Sequence, residues 1–343
     1  MGLFFAVALF VFGVFIIVKS GDWFVDGAVW VAEVTGIPKF IIGATVVSVA
    51  TTLPEILVST IAAIEGRKIL ASGAGNLAAA LDKVGMAVGN GVGSVICNTA
   101  MILAFSIIFM PAKLGRRDFV PKALILSAAV TVLFLLSLGG SLSLVGAFVL
   151  LAVFALYIFE NIRSAKNGGA DSAARGEASR GSAVNEILRL LIGTAGIVIG
   201  SRLLVDNGSR IAAALGVSEA MIGVTVVAVG TSLPELVTAV VSVIKKQPSM
   251  TVGNIIGANV IDTTLILAVC AFIYGGRLPV SAQNIYLDFP VAVIVSLIAI
   301  VPAAVNKKFS RWQGIVLLAV YAVYLIIVVG GIERYLSLFG VRV

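Results

Sequence analysis

Long apolar runs alternate with short polar breaks along the whole chain. A run of about 18 or more residues is long enough to cross the roughly 30 Å hydrocarbon core of a bilayer as a helix. The pattern predicts ten crossings, of which the first and sixth are so long that they must tilt or bend. The predicted crossings are residues 2–35, 40–64, 86–110, 123–140, 142–162, 184–215, 219–244, 250–274, 285–305 and 312–332.

Two polar stretches interrupt this pattern. Residues 164–182 are rich in Gly, Ala and Ser, a composition typical of a flexible linker. Residues 65–85 are polar as well and are unusually long for a connection between neighbouring helices. We therefore divide the chain into a first five-helix repeat at 1–163, a cytoplasmic linker at 164–183 and a second five-helix repeat at 184–343.

The composition excludes an ordinary soluble protein. The 343 residues are 60% hydrophobic and only 12% charged, against about 25% charged in soluble domains. The net charge of +7 is concentrated in the loops, with fourteen Lys and Arg residues on one side and six on the other. The richer side is expected to be cytoplasmic. We predict a multi-pass protein of the cell (plasma) membrane with both termini outside, surrounded by lipid, with no nucleic acid and no obligate protein partner.

Few residue types remain for chemistry inside the membrane. The chain contains no His, and its two Cys, Cys97 and Cys270, lie within apolar segments. This excludes a disulfide framework and imidazole-based metal sites. Because there is no nucleophile–base pair, phosphate-binding loop or cofactor motif, we expect neither an enzyme nor a bound cofactor. Carboxylates are left as the candidates for function.

The two halves of the chain share sequence. Residues 43–57 align without gaps with residues 223–237, and nine of the fifteen positions are identical. Residues 89–98 match residues 253–262, so the first half carries a 16-residue insertion in its outer loop. Five crossings precede the linker, and the second copy must enter the membrane in the opposite orientation. We predict an all-α polytopic membrane protein built from inverted-topology repeats, with broken helices near the midplane as in secondary transporters.

Each repeat carries a Glu directly after a Pro within an apolar helix, Glu55 and Glu235. Proline disrupts a backbone hydrogen bond and leaves carbonyl oxygens free. A carboxylate in hydrocarbon is costly unless it is paired, hydrated or protonated, which indicates a functional site. Carboxylate, carbonyl, amide and hydroxyl oxygens suit a hard cation such as Ca2+ better than a soft metal. The glycines of the GNxxG segments also predict close helix packing.

These motifs resemble those of the calcium/cation antiporter superfamily, most closely the prokaryotic, archaeal-type sodium/calcium exchangers. The resemblance implies a ten-helix antiporter that moves Ca2+ against Na+, usually three Na+ for one Ca2+, while the first and sixth helices slide across the core. It covers nearly the whole chain and rests on ATTLPE at 50–55, GTSLPE at 230–235, GNGVGSVICN at 89–98, GNIIGANVID at 253–262 and RWQG at 311–314.

The resemblance also implies which residues bind the ions. The calcium site would comprise the side chains of Glu55 and Glu235 and the carbonyls of Thr51 and Thr231. The flanking sodium sites would use the same two carboxylates, the carbonyls of Ser48 and Ala228 and the hydroxyls of Thr52, Ser232 and Ser94, while Asn98 and Asp262 line the centre.

Two residues depart from the family pattern. Ala258 stands where the family commonly has Ser, which removes a hydroxyl from one sodium site, and Thr52 replaces another Ser. A Ca2+/H+ exchanger therefore stays open. So does a K+-dependent exchanger, because Asp262 matches an acidic position of that branch. A passive cation channel is disfavoured, since two unlike inverted halves suit alternating access better than a symmetric pore.

Overall fold

A computed structural model describes residues 2–72, 77–112, 115–171, 183–215 and 228–331 of the chain. These residues form long helices and one short two-stranded ribbon. In chain order the elements are α1 Leu3–Thr35, α2 Lys39–Thr51, α3 Leu53–Ala71, α4 Leu77–Phe109, α5 Arg116–Ser137, β1 Ser141–Ser143, α6 Leu144–Asp171, α7 Ala183–Ala214, α8 Ala228–Thr231, α9 Leu233–Ile244, α10 Pro248–Tyr274, β2 Arg277–Pro279, α11 Asn284–Asn306 and α12 Arg311–Gly330.

The fold is that of an all-helical membrane protein, as predicted. Over the described ranges, eight helices are long and apolar enough to cross a membrane, or nine if α2 and α3, which meet at 45°, form one broken span. The predicted crossing at 219–244 begins outside the described residues, and α8 and α9 form only its later part. Ten crossings therefore remain a prediction.

The expected long loop at residues 65–85 is wrong. Helix α3 continues to Ala71 and α4 begins at Leu77, so the insertion lengthens two helices. The side chains of Glu65 and Lys83 form an ion pair between the helices at 2.8 Å. Polar residues at this position lie on the exposed faces of a helical hairpin, which a search for apolar runs does not distinguish from a loop.

The expected start of the linker at residue 164 is also wrong, because α6 runs on to Asp171. Ser164 is buried, and its hydroxyl accepts a hydrogen bond from the buried Lys122 ammonium at 2.7 Å. The first part of the predicted linker is therefore packed helix. Residues 172–182 lie outside the described ranges.

Helices α4 and α10, which carry the matched GN motifs, form the centre of the molecule. They are the most buried of the eight spans, with 72% and 83% of their apolar segments inside the protein. A Cβ atom added at Gly257 of α10 would lie 2.7 Å from the carbonyl oxygen of Ala44 in α2. The close packing expected of these glycines is thus present at α10, where it brings α2 against the centre.

Helices α1 and α7 pack against each other along their length. With 33 and 32 residues, each is about 50 Å long at 1.5 Å per residue. Gly200 packs on Ile17 and Gly193 packs on Phe24, so the two helices run antiparallel. A Cβ atom at Gly193 would lie 2.7 Å from the backbone nitrogen of Phe24. Only small residues permit this approach.

The buried apolar residues form two separate clusters. The larger one extends through α2–α6 and α9–α12 and contains most of the core. The smaller one joins α1 and α7 to the faces of α2, α9 and α10 next to them and includes Ile17, Phe24, Val25, Ile197 and Val241. The α1–α7 pair is therefore a layer applied to a larger packed body.

Short connections hold the helix ends together. Strands β1 and β2 pair antiparallel with Leu142 opposite Leu278, which the sequence did not predict.

At the start of α12, the Ser310 hydroxyl accepts from the backbone N–H of Gln313, and the Gln313 side chain accepts from the backbone N–H of Ser310. This capping box explains the position of the RWQG motif at the helix start.

Candidate functional site

Each repeat contains a break in a helix directly before its Leu-Pro-Glu sequence. Thr52, with φ −82° and ψ 0°, separates α2 from α3, and Ser232, with φ −88° and ψ 9°, separates α8 from α9. Because Pro lacks an N–H, it suits the first turn of a new helix, where that donor would be unused. The breaks place Glu55 and Glu235 in the first turns of α3 and α9. The positive end of each helix dipole favours a carboxylate there.

Three carboxylates of the site are buried without adequate partners. Glu55, Glu235 and Asp262 are each at most 1% exposed. Both carboxylate oxygens of Glu55 and of Asp262, and one of Glu235, accept no hydrogen bond from the described part of the chain. Glu55 is close enough to Glu235 and Asp262 for their charges to repel. Such a group is unfavourable in a membrane interior unless positive charge neutralises it.

A hydroxyl joins the two repeats at the break. Thr52 Oγ1 lies 2.7 Å from the carbonyl oxygen of Ser48 and 3.4 Å from Oε1 of Glu235. The Ser48 carbonyl also accepts from the backbone N–H of Thr52 at 3.0 Å. A single hydroxyl proton cannot serve both acceptors fully. The hydroxyl oxygen of Thr52 is therefore well placed to coordinate a cation between the repeats.

Asn98 and Asp262 lie where α4 and α10 widen into π-helical turns. These turns are Asn98–Leu103 and Ile261–Ile266, and such turns occur frequently at functional sites. The Asn98 side-chain amide donates to Oδ1 of Asn259 at 3.1 Å, while the Asn98 Oδ1 is buried and has no partner in the described structure. The donor is thus fixed and the acceptor remains available to a cation.

Most of the other predicted ligands lie in the same buried region. Thr51, Ser94 and Ser232 are at most 3% exposed, and the Ser232 hydroxyl makes no hydrogen bond to any described residue. Ser94 and Thr231 line a cavity of about 350 Å3 between α4, α11 and α12. Ala258 is fully buried in α10 and contributes no hydroxyl.

Ala228, predicted to supply a carbonyl, begins α8 at the edge of the described residues. No cluster of three or more Asp, Glu, Cys or His side chains that could hold a metal ion occurs in the described ranges.

Two asparagines that the sequence analysis did not select hold the glutamate helices. Asn90 Nδ2 lies 3.4 Å from the carbonyl oxygen of Glu55. Asn254 donates to the Thr238 hydroxyl at 3.1 Å, and that hydroxyl donates to the carbonyl of Glu235 at 3.0 Å. Both are the Asn of the matched GN motifs. An amide repeated at equivalent positions of two buried helices is the signal that would have identified them.

Comparison with known proteins gives one consistent family. A sequence model described as sodium/calcium exchanger protein matches residues 5–163 and 186–330. An uncharacterized membrane protein of Methanocaldococcus jannaschii is 33% identical over 318 residues, which cover 92% of this chain and 96% of that protein. A sodium/calcium exchanger of Methanosarcina acetivorans is 27% identical over 371 residues, with 92% and 96% coverage.

The fold is also similar to that of solved structures. A structure of the sodium–calcium exchanger NCX_Mj, soaked with 2.5 mM Na+ and 10 mM Sr2+, has a TM-score of 0.78 and 31% sequence identity. The similarity covers 94% of this chain and 98% of that one. It therefore extends over both halves of the chain.

Proposed function

Because the chain belongs to the sodium/calcium exchanger family, we propose that it exchanges Ca2+ for Na+ across the membrane by alternating access, with net movement of charge. The carboxylates of Glu55 and Glu235 carry this proposal. They are buried at two helix breaks and lack the hydrogen-bond partners that buried anions need. An arriving cation supplies the missing positive charge.

The central site suits Ca2+. This ion takes about 6 to 8 oxygens at about 2.3 to 2.6 Å and tolerates irregular geometry. Two bidentate carboxylates, from Glu55 and Glu235, supply four oxygens, and the carbonyls of Thr51 and Thr231 with water complete the shell. Two negative charges balance one Ca2+. Asn98 and Asp262 border the same volume.

Sodium binds around this centre by using part of the same set. The Ser48 and Ala228 carbonyls and the hydroxyls of Thr52, Ser232 and Ser94 add neutral oxygens to the two carboxylates. Sodium ions and Ca2+ cannot use the same carboxylate oxygens together, so one displaces the other. Three Na+ for one Ca2+ moves one positive charge in each cycle.

The two-layer architecture supports alternating access as the mechanism of this proposal. The smaller apolar cluster joins the α1–α7 pair to α2, α9 and α10, and Gly21 of α1 packs on Val237 and Val241 of α9. Lys245, directly after α9, and Asp26 of α1 form an ion pair at 2.6 Å across the same contact. The site-bearing helices belong to the larger packed body. We propose that the pair slides across this body and opens the site to each side in turn. The antiparallel contact of α1 with α7 supports inverted repeats, as expected if ten helices place both termini outside the plasma membrane.

The test is Ca2+ uptake into proteoliposomes that are loaded with Na+ and diluted into Na+-free buffer. Parallel vesicles have no Na+ gradient, a pH gradient, or added K+. Uptake that requires the Na+ gradient and responds to a membrane potential set with K+ and valinomycin supports electrogenic Na+/Ca2+ exchange. Uptake driven only by the pH gradient reassigns the counter-ion to H+. A strict requirement for K+ indicates the K+-dependent branch. Downhill Ca2+ flux far above carrier rates indicates a channel.

Two variants connect the activity to the site. Glu55→Gln and Glu235→Gln keep the shape of the side chain and remove the charge, so uptake is expected to fall to the level of protein-free vesicles. Glu65→Gln is the matched control, because this residue lies on the same helix as Glu55 in an exposed pair with Lys83. Such pairs contribute about 0 to 1 kcal/mol. Coupled uptake that survives in both site variants contradicts the proposal.

A further inference from the structure

Asp288 is a buried carboxylate outside the exchange site. It ends the π-helical turn Asn284–Asp288 at the start of α11 and is 3% exposed. Its Oδ1 accepts from the Tyr324 hydroxyl at 3.1 Å, and its Oδ2 accepts from the Asn284 amide at 2.8 Å. No Lys or Arg of the described ranges forms an ion pair with it. Within these ranges the carboxylate therefore has neutral donors, Tyr324, Asn284 and Gln283, and no positive charge to balance it.

The carboxylate borders the 350 Å3 cavity between α4, α11 and α12. A water molecule takes about 30 Å3 in the liquid, so the space holds several. On α4 the lining runs from Gly85 to Cys97, about 18 Å along the helix. Ser94 and Thr231, two of the proposed ion ligands, line the same space. The cavity therefore joins Asp288 to the edge of the exchange site.

The internal repeat shows that two matched tyrosines have different partners. Residues 149–157, VLLAVFALY, and 316–324, VLLAVYAVY, are identical at seven of nine positions, which pairs Tyr157 with Tyr324. Tyr157 donates to the backbone carbonyl of Ala44 at 2.7 Å, whereas Tyr324 donates to Asp288. The first half also has an acid at the start of the helix before the matched segment, Asp118, followed by Phe119 as Asp288 is followed by Phe289. Because Tyr157 bonds to a backbone carbonyl, the contact of the tyrosine with a buried carboxylate is a feature of the second half.

We propose that Asp288 and this cavity form a second cation site that takes one Na+ ion on the predicted outer side of the exchange site. A single carboxylate balances a single positive charge, whereas protein Ca2+ sites combine several carboxylates and carbonyls. The two carboxylate oxygens offer about four lone-pair sites and retain capacity beside their present hydrogen bonds. Cavity water supplies the neutral oxygens of the shell. The site rests on the proposed function in that Na+ is the exchanged ion.

The direct test is binding of radioactive Na+ to the full-length protein in nanodiscs. Wild-type protein saturated with Ca2+, and separately the Glu55→Gln/Glu235→Gln variant, should still bind Na+ because the exchange site is blocked in both. Adding Asp288→Asn is expected to weaken this residual binding at least about tenfold, equivalent to about 1.4 kcal/mol. Asp82→Asn, an exposed acid on α4, makes the same charge change and should leave it unaltered.

The variant Tyr324→Phe distinguishes a structural role of Asp288 from a role in Na+ binding. This variant removes one hydrogen bond to the carboxylate and keeps its charge, so Na+ binding should persist. Loss of binding as large as that in Asp288→Asn, or binding unchanged by Asp288→Asn, overturns the inference. Absence of residual Na+ binding in both blocked proteins overturns it as well.

Transport supplies an independent reading. With Na+ added on the outer side, Asp288→Asn should raise the half-saturating Na+ concentration about tenfold, with the maximal rate and the half-saturating Ca2+ concentration kept. An unchanged Na+ dependence contradicts the inference. If the wild-type protein shows no exchange while the binding results hold, the proposed function fails and the second cation site stands.

Discussion

Ala258 is the residue at which the proposed site departs from the Ser that the resemblance to the family implies. It occupies the position in α10 that corresponds to Ser94 in α4, and it is fully buried. A sodium site that loses a hydroxyl ligand must use water or a carbonyl instead. The two halves of the site are therefore chemically unequal, even where their backbones match.

Restoring the hydroxyl tests this inequality. Ala258→Ser is expected to lower the Na+ concentration for half-maximal exchange, because one well-placed oxygen contributes about 0.5 to 1.5 kcal/mol, or roughly two- to tenfold. The measurement is the Na+ dependence of Ca2+ uptake. Ala268→Ser is the control, since Ala268 is equally buried and lies further along the same helix. An equal effect of both variants, or none of Ala258→Ser, contradicts the prediction.

At the residue scale, the local sequence predicted the two glutamates but not the roles of the polar residues around them. A Pro-Glu pair in an apolar run is visible in the sequence because both its backbone effect and its charge are local. The roles of Asn254 and Asp288 depend on which helix faces meet, since Asn254 reaches Thr51 of α2 and Asp288 reaches Tyr324 of α12. Contacts over such separations do not follow from spacing along the chain.

At the scale of elements, a row of glycines holds α1 and α7 together. Gly193 and Gly200 bring the two backbones into contact. Ile197 belongs to the smaller apolar cluster, and Leu190 packs against that cluster. A seam of small residues fixes the separation of the pair. In the proposed exchange cycle the pair shifts as one body against the larger core.

Widening the seam should impair transport. In Gly193→Val the new side chain meets the backbone of Phe24, where even a Cβ would lie 2.7 Å away. Overpacking of this kind typically costs about 1 to 3 kcal/mol, and we expect a lower thermal midpoint together with slower exchange. Ala195→Val is the control, because Ala195 is exposed on the same helix. Normal stability and rate in Gly193→Val are incompatible with a rigid pair.

Helix ends were harder to predict than helices. Apolar periodicity located the spans, but α3, α4 and α6 all extend past their predicted ends. The length of an apolar run matches the thickness of the bilayer. A helix ends where its terminal backbone groups find other partners or where its side chains have no neighbour to pack against. The Glu65–Lys83 pair and the Lys122–Ser164 contact stabilise helix that the membrane does not require.

At the scale of the whole molecule, charge separates the two ends. Arg277 lies in β2, near the end that the loop charges predict to be outside, while Lys308 precedes α12 at the end predicted to be cytoplasmic. Asp288 and its cavity lie toward the same end as Arg277. The orientation of the chain therefore also decides from which side Na+ reaches the proposed second site.

Orientation can be measured with one matched pair of variants. Arg277→Cys and Lys308→Cys each replace an exposed basic residue, and the native Cys97 and Cys270 are buried and should label poorly. A membrane-impermeant maleimide applied to intact cells is expected to label Arg277→Cys, and to label Lys308→Cys only after the membrane is permeabilised. Arg277→Cys leaves fourteen basic residues against five and Lys308→Cys leaves thirteen against six, so both variants keep the excess on the same side and should keep the native orientation. The reverse labelling pattern would place both termini inside and the Asp288 cavity on the cytoplasmic side, where the Na+ dependence of Asp288→Asn should then be found.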